Sequence, residues 1–225
     1  MFCEECGAEI MTGMKACPNC AATVTSAAPS PSPQIGNLLK ARCQDAFQAM
    51  KIVAANPVGG LPGAFQSTEK RKAMEVGIAF AVVFEICAVI GLDLALPHWA
   101  GGPNFADVLK LLILGLVPFG ALAGACALAR KVLGASGGST ESDVFIAGTA
   151  VLPFGVVLLI TGIVGFSNFE VIAIAAAFAN AYSILILFSG CTRISGISEQ
   201  RAAPAVPVIL LITAWISKIL FSAMF

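Results

Sequence analysis

The sequence predicts an all-α polytopic membrane protein, a five-helix transmembrane bundle with a small N-terminal zinc-ribbon module. Three observations lead there. The 225-residue chain is 58% apolar and 12% charged, against about 25% charged for a soluble domain, and its mean hydropathy is +0.90. Five long apolar runs follow one another, at 73–96, 108–128, 144–166, 171–189 and 206–225. Of the four connections between those runs, only the second and fourth carry Lys or Arg. This composition excludes a disordered chain, a disulfide-rich secreted domain and an ordinary cytosolic enzyme. Thirteen basic residues balance thirteen acidic ones, which leaves no net field to attract nucleic acid.

Residues 1–20 hold Cys3-x-x-Cys6 and Cys17-x-x-Cys20. Two such knuckles supply four thiolates to a tetrahedral zinc, each pair from one tight turn. Cys3, Cys6, Cys17 and Cys20 are therefore the predicted ligands of one structural zinc. All four positions are filled by protein, so none is open to substrate. The ribbon carries Glu4, Glu5 and Glu9 against Lys15, the wrong sign for phosphate contact. Residues 21–34 are uncharged and rich in Pro, Ser and Ala, a tether that cannot bury a core. No basic start followed by an apolar run precedes the cysteines, so no secretory signal is expected.

From 35 to about 54 the pattern is helical and amphipathic. Leu39, Cys43, Phe47, Met50 and Val53 recur at spacings of three and four, with Lys40, Gln44, Gln48 and Lys51 opposite. Whether this helix lies on lipid or on the bundle is left open. Asn56-Pro57-Val58-Gly59-Gly60-Leu61-Pro62-Gly63 should stop it, completing a segment at 35–64. The transmembrane domain then occupies 65–225. Each of its apolar runs meets the roughly 20 residues needed to cross the hydrocarbon core, and helices alone satisfy their own backbone there. The small-residue stretches Gly-Ala-Leu-Ala-Gly-Ala-Cys-Ala-Leu-Ala (120–129) and Ala-Ile-Ala-Ala-Ala-Phe-Ala-Asn-Ala (173–181) are the expected points of close helix approach.

Before the first run stand Lys40, Arg42, Lys51 and Lys70–Lys72. Arg130 and Lys131 mark the second connection, and Arg193 and Arg201 the fourth; the first and third have no Lys or Arg. The positive-inside bias places the N-terminus in the cytoplasm and the C-terminus outside, with Trp99 at the outer interface.

Residues able to carry chemistry are few. His98 is the single histidine and has no nucleophile–base set around it. Cys43, Cys87, Cys126 and Cys191 show no ligand spacing and read as small apolar packers; Cys191, near a cytoplasmic edge, is also positioned for acylation. The interior polar residues weigh more. Glu85 and Lys218 each lie 12 residues past the start of their runs, about 18 Å deep at 1.5 Å per residue. Asn180 lies at similar height. Ionisable groups at that depth are costly and tend to be functional. The expectation is that Glu85 and Lys218 face the interior and pair; the alternative is a protonated Glu85 and a snorkelling Lys218. Pro-Phe-Gly occurs twice, at 118–120 and 153–155, and reads as two kinked or packed helices.

The helix ending in Asn56-Pro57-Val58-Gly59-Gly60-Leu61, the basic segment and the five spans with a cytoplasmic N-terminus resemble the Yip family of membrane proteins over about residues 35–225. The ribbon and Pro-Ser tether resemble the arrangement in prokaryotic members, which implies a prokaryotic cell membrane. Eukaryotic members of the family partner prenylated Rab GTPases and carry Asp-Leu-Tyr-Gly-Pro before the first span. This chain lacks that motif, and its one tyrosine is Tyr182, so Rab binding is not carried over.

The function expected is that of a non-enzymatic scaffold or adaptor in the bilayer, whose cytoplasmic ribbon contacts an unidentified protein partner. Nucleic acid is not expected as a partner, and homo-oligomerisation is left open. The alternative is a small transporter or channel using Glu85, Asn180 and Lys218.

Overall fold

Lipid offers a backbone carbonyl no donor except its own helix, and among the described residues every regular element is helical. The computed structural model describes residues 35–66, 70–95, 105–165 and 168–224. The elements are α1 (Ile35–Ala55), α2 (Gly60–Gln66), α3 (Lys70–Ala95), α4 (Phe105–Val132), α5 (Thr140–Val164), α6 (Phe169–Ser189) and α7 (Glu199–Met224), with a π-helical turn at Gly190–Ile194 extending α6. The predicted ribbon and tether, His98 and Trp99 lie outside the described residues. Ala41–Phe225 form one compact unit. Five helices are long and apolar enough to span a bilayer, and they coincide with the five apolar runs. The chain is an integral, multi-pass membrane protein.

α5 is the central helix. It packs against α3, α4 and α6, while α7 packs chiefly on α4. The tightest contact is between α3 and α5, and glycine makes it. Gly77, Phe84 and Gly91 on α3 stand opposite Gly148, Gly155 and Gly162 on α5. Both series step by seven residues, so the helices run parallel. A seven-residue repeat keeps one face of each helix on its partner along a left-handed wrap. Ala81 and Ala88, also buried, fill the intermediate positions. A Cβ on Gly148 would overlap the Gly77 carbonyl, and one on Gly162 would lie 2.9 Å from the Gly91 Cα. The backbones touch because no side chain stands between them.

The runs that composition favoured for close approach are packed only in part: Ala125 and Ala179 are buried, while other small residues face outward. Gly120 and Gly124 of α4 have open space where a Cβ would point. Ala173, Ala177 and Ala181 of α6 are exposed. Small residues permit contact, but which face they occupy decides whether contact follows. The outer faces carry large apolar side chains, among them Ile163, Ile174, Phe178 and Trp215, each more than half exposed. In water such a surface would drive association; in a bilayer it meets acyl chains.

α1 forms where the periodicity placed it, yet its packed face differs. Ala49 and Val53 are buried, with Ala46 and Met50 against the core. Phe47, counted on the apolar face, is 51% exposed and is covered by Lys51, whose Nζ lies 4.6 Å from its ring centroid. The helix therefore packs on the bundle, while Phe47 and Ile52 point outward. Its C-terminal carbonyls, which lack helical donors, are met by α6: the Tyr182 hydroxyl donates to the Val53 and Ala54 carbonyls, at 2.8 Å each. Tyr182→Phe should remove about 1 kcal/mol, and amide exchange over 49–55 should rise about fivefold. Unchanged exchange there would show that packing alone holds α1.

The Asn-Pro-Val-Gly-Gly segment ends α1 as expected, but it does not end the helical structure. Asn56 Oδ1 accepts from the Gly59 N–H at 2.7 Å, and the Gly60 N–H donates to the Asn56 carbonyl at 2.8 Å. The chain turns once and restarts as α2. Pro62 sits in the first turn of α2, where a missing N–H costs nothing. Leu61 and Ala64 are fully buried, and the Phe65 ring lies 5.6 Å from that of Phe145 on α5. A segment expected only as a helix stop thus contributes to the core.

Candidate functional site

A cluster of polar residues lies at one end of the bundle, where the α4–α5 loop meets the turn after α6. The Gly137 N–H donates to the Ser195 carbonyl at 3.2 Å, and Ser136 Oγ donates to the Gly196 carbonyl at 3.3 Å. The two basic connections, carrying Arg130, Lys131, Arg193 and Arg201, therefore lie against each other. Gly138 has φ of +83°, and a Cβ there would lie 2.9 Å from Arg130 Cδ, so glycine lets the loop close over that side chain. Ser139 caps α5: its Oγ accepts from the Ser142 N–H at 3.4 Å, and Ser142 Oγ in turn accepts from the Ser139 N–H at 2.8 Å. Such a reciprocal box satisfies two orphan donors of the first turn.

Within this end Arg130 reaches Asp143. Nη2 and Nε donate to Oδ2 at 2.9 and 3.0 Å, and Nε also contacts Oδ1 at 3.3 Å. Asp143 is 1% exposed. Its carboxylate is buried and is compensated by the guanidinium. Beneath it lie Cys126 and Cys191, both buried and free. At 2% exposure, Cys191 is a buried packer, as its spacing suggested, and is not presented for acylation. Arg201 donates to the Leu133 carbonyl at 2.8 Å and so ties the start of α7 to the end of α4. Beside it runs an apolar groove of about 580 Å³ between α4 and α7, bordered by Gly124, Leu128, Pro204 and Val208.

The π-helical turn serves the same end. The Ser195 N–H donates to the Gly190 carbonyl at 2.9 Å, five residues back, which widens the helix by one residue. Ser189 Oγ donates to the Val58 carbonyl at 2.6 Å, so the segment before α2 is bonded where α6 changes form. A Cβ at Gly190 would lie 2.8 Å from the Ile146 side chain, which accounts for glycine there.

The midplane residues do not assemble. Glu85 faces inward, as expected, at 6% exposure. Lys218 does not: it is exposed on α7, with Nζ 5.6 Å from the centroid of the Trp215 ring. Asn180 is exposed on α6. Neither Glu85 carboxyl oxygen has a hydrogen-bond partner, so the expected Glu85–Lys218 pair is absent and the expectation is corrected. Equal depth along two helices fixes height; the angle about each axis, which equal depth ignores, decides whether side chains meet. Among the described residues, a buried carboxylate does find a counter-charge at Arg130–Asp143. Sequence reasoning treated Arg130 only as a marker of orientation. The available signal was an acid in the first turn of one helix facing a base in the last turn of the one before.

The predicted zinc ligands lie outside the described residues, and so does Cys43 beyond its backbone. Among the described residues no group of three or more His, Cys, Asp or Glu side chains forms a metal site. No family model, no curated protein and no solved structure matches this chain.

Proposed function

We propose that this protein is a non-enzymatic membrane adaptor: a rigid five-helix anchor that carries a zinc-bound ribbon on a 14-residue tether (21–34) and presents it to a cytoplasmic protein. The observation that carries the reading is the α3–α5 seam. Glycine-to-glycine contact along both helices fills the centre of the bundle with backbone, as suits an anchor. The four cysteines, all thiolate donors at knuckle spacing, fit one tetrahedral zinc with no open position, as suits a ribbon used for contact. The order of elements resembling the Yip family belongs to the same reading. Affinity capture with the full chain and with a chain lacking 1–34 tests it. A partner retained only by the full chain supports the adaptor; identical recoveries sink it.

Two further results are expected. Metal analysis of purified protein should find one zinc per chain, and Cys17→Ser should release it while the bundle stays inserted, because the tether uncouples the two. Iron, or no stoichiometric metal, contradicts this. For orientation, Gly101→Cys should be labelled by an impermeant thiol reagent from outside, and Thr140→Cys only from inside. The reverse pattern overturns a cytoplasmic N-terminus.

A second reading, a small transporter, now rests on Glu85 alone among the three midplane residues. Solute or ion flux in proteoliposomes that Glu85→Gln abolishes in folded protein would place it first.

A further inference from the structure

Glu85 is set into a place built for it. Its carboxyl group lies directly on Gly115 of α4, and a Cβ there would overlap the carboxyl atoms. Any other residue at 115 would expel the Glu85 head. Three residues on, Pro118 lies inside α4. Proline has no N–H, so the carbonyl of Leu114, four residues before it, loses its helical donor. That carbonyl belongs to the peptide bond leading into Gly115, the residue that Glu85 covers. A buried carboxyl of α3 without a partner thus lies against the turn of α4 that holds an acceptor without its helical donor.

Among the described residues, neither Glu85 carboxyl oxygen has a hydrogen-bond partner. Positions 111–125 of α4 and 144–165 of α5, the helices packed against α3, hold no ionisable side chain. On α3 itself Cys87 is the nearest ionisable residue, and a thiol brings no positive charge. A carboxylate here would need donors and finds none. A carboxylic acid needs one acceptor, and the Leu114 carbonyl, one residue before Gly115, is the one in that turn left without a helical donor.

We infer that Glu85, Gly115 and the Pro118 turn form a proton-binding site, in which the neutral Glu85 acid donates to the Leu114 carbonyl and joins α3 to α4 inside the membrane. The site takes a proton in preference to a metal cation, since one carboxyl and one carbonyl fall short of the six or so oxygens a hard cation gathers. The inference is independent of the adaptor reading and holds whether or not a partner is found.

Infrared spectroscopy of the full chain in liposomes at neutral pH tests it. A carbonyl stretch of a protonated carboxylic acid should be present and be lost completely in Glu85→Gln. That variant keeps the donor geometry, because its amide N–H reaches the same carbonyl. Pro118→Ala returns a helical donor to Leu114 and should move the acid band to higher frequency, with helix content unchanged. In parallel, a hydrophobic carbodiimide, which reacts with protonated carboxyls in apolar surroundings, should modify the wild-type peptide carrying Glu85; this arm does not depend on either variant folding. Absence of a Glu85-dependent acid band, or of carbodiimide modification, overturns the site. An acid band that Pro118→Ala leaves unmoved overturns the Leu114 bond.

Discussion

Gly148→Ala is expected to destabilise the bundle by about 1–3 kcal/mol, the usual cost of forcing atoms into a packed interior. The added methyl falls on the Gly77 carbonyl. Backbone cannot swing aside as the end of a side chain can, so the helices must separate along the seam. Alanine favours a helix over glycine by about 1 kcal/mol, a gain too small to reverse the sign. Gly148→Leu should cost more. Gly124→Ala is the control: its Cβ enters open space, so only the propensity term remains and stability should hold or rise by up to about 1 kcal/mol. Unfolding in detergent micelles, followed by helical circular dichroism, measures both. Equal effects at 124 and 148 would mean that the seam does not govern stability.

Asp143→Asn should cost about 3–5 kcal/mol, because it leaves the Arg130 guanidinium partly buried without its counter-charge. Arg130→Met alone should cost a similar amount by stranding the carboxylate. Combining Arg130→Met with Asp143→Leu is expected to recover most of the loss, since a buried pair and an apolar pair of similar volume are close in energy. The test is the thermodynamic cycle built from Arg130→Met, Asp143→Leu and the two together. If the double variant loses the sum of the two single losses, the residues act independently. Arg130→Lys should fall between, since an ammonium reproduces the charge but not the paired Nε and Nη2 donors.

Much of the architecture was legible because lipid imposes a length and an apolarity on each helix. All five runs became spans, and their ends moved by only a few residues. The largest shift is at α7, which begins at Glu199 and not at 206. Pro204 and Pro207 lie inside the helix, and prolines near its wet start leave free only carbonyls close to the interface. α2 was missed because seven residues containing Pro and two glycines resemble a turn, and only burial against Phe145 makes them a helix. The seam was present as Gly77, Gly91, Gly148, Gly155 and Gly162 at multiples of seven, hidden among 22 glycines. Density of small residues pointed to α4 and α6, while period pointed to α3 and α5. Period is the better guide, because it specifies a face. Of the midplane site, Glu85 was legible from depth alone. Gly115 was not, because nothing in one helix reveals which residue of its neighbour lies opposite.

The seam also sets a schedule for assembly. α3 and α5 are each other's main partner but are not neighbours in sequence: all of α4 and the loop after it must be synthesised between them. At about 5–20 residues per second, roughly 70 residues separate the end of α3 from the end of α5, a delay of about 3–14 seconds. Throughout that time α3 sits in the membrane with its glycine groove uncovered, and α4 is the first helix able to reach it. The groove must still be open when the third span arrives. A mutation that slows delivery of α5 would therefore harm the protein at birth, even where the finished bundle loses no contact.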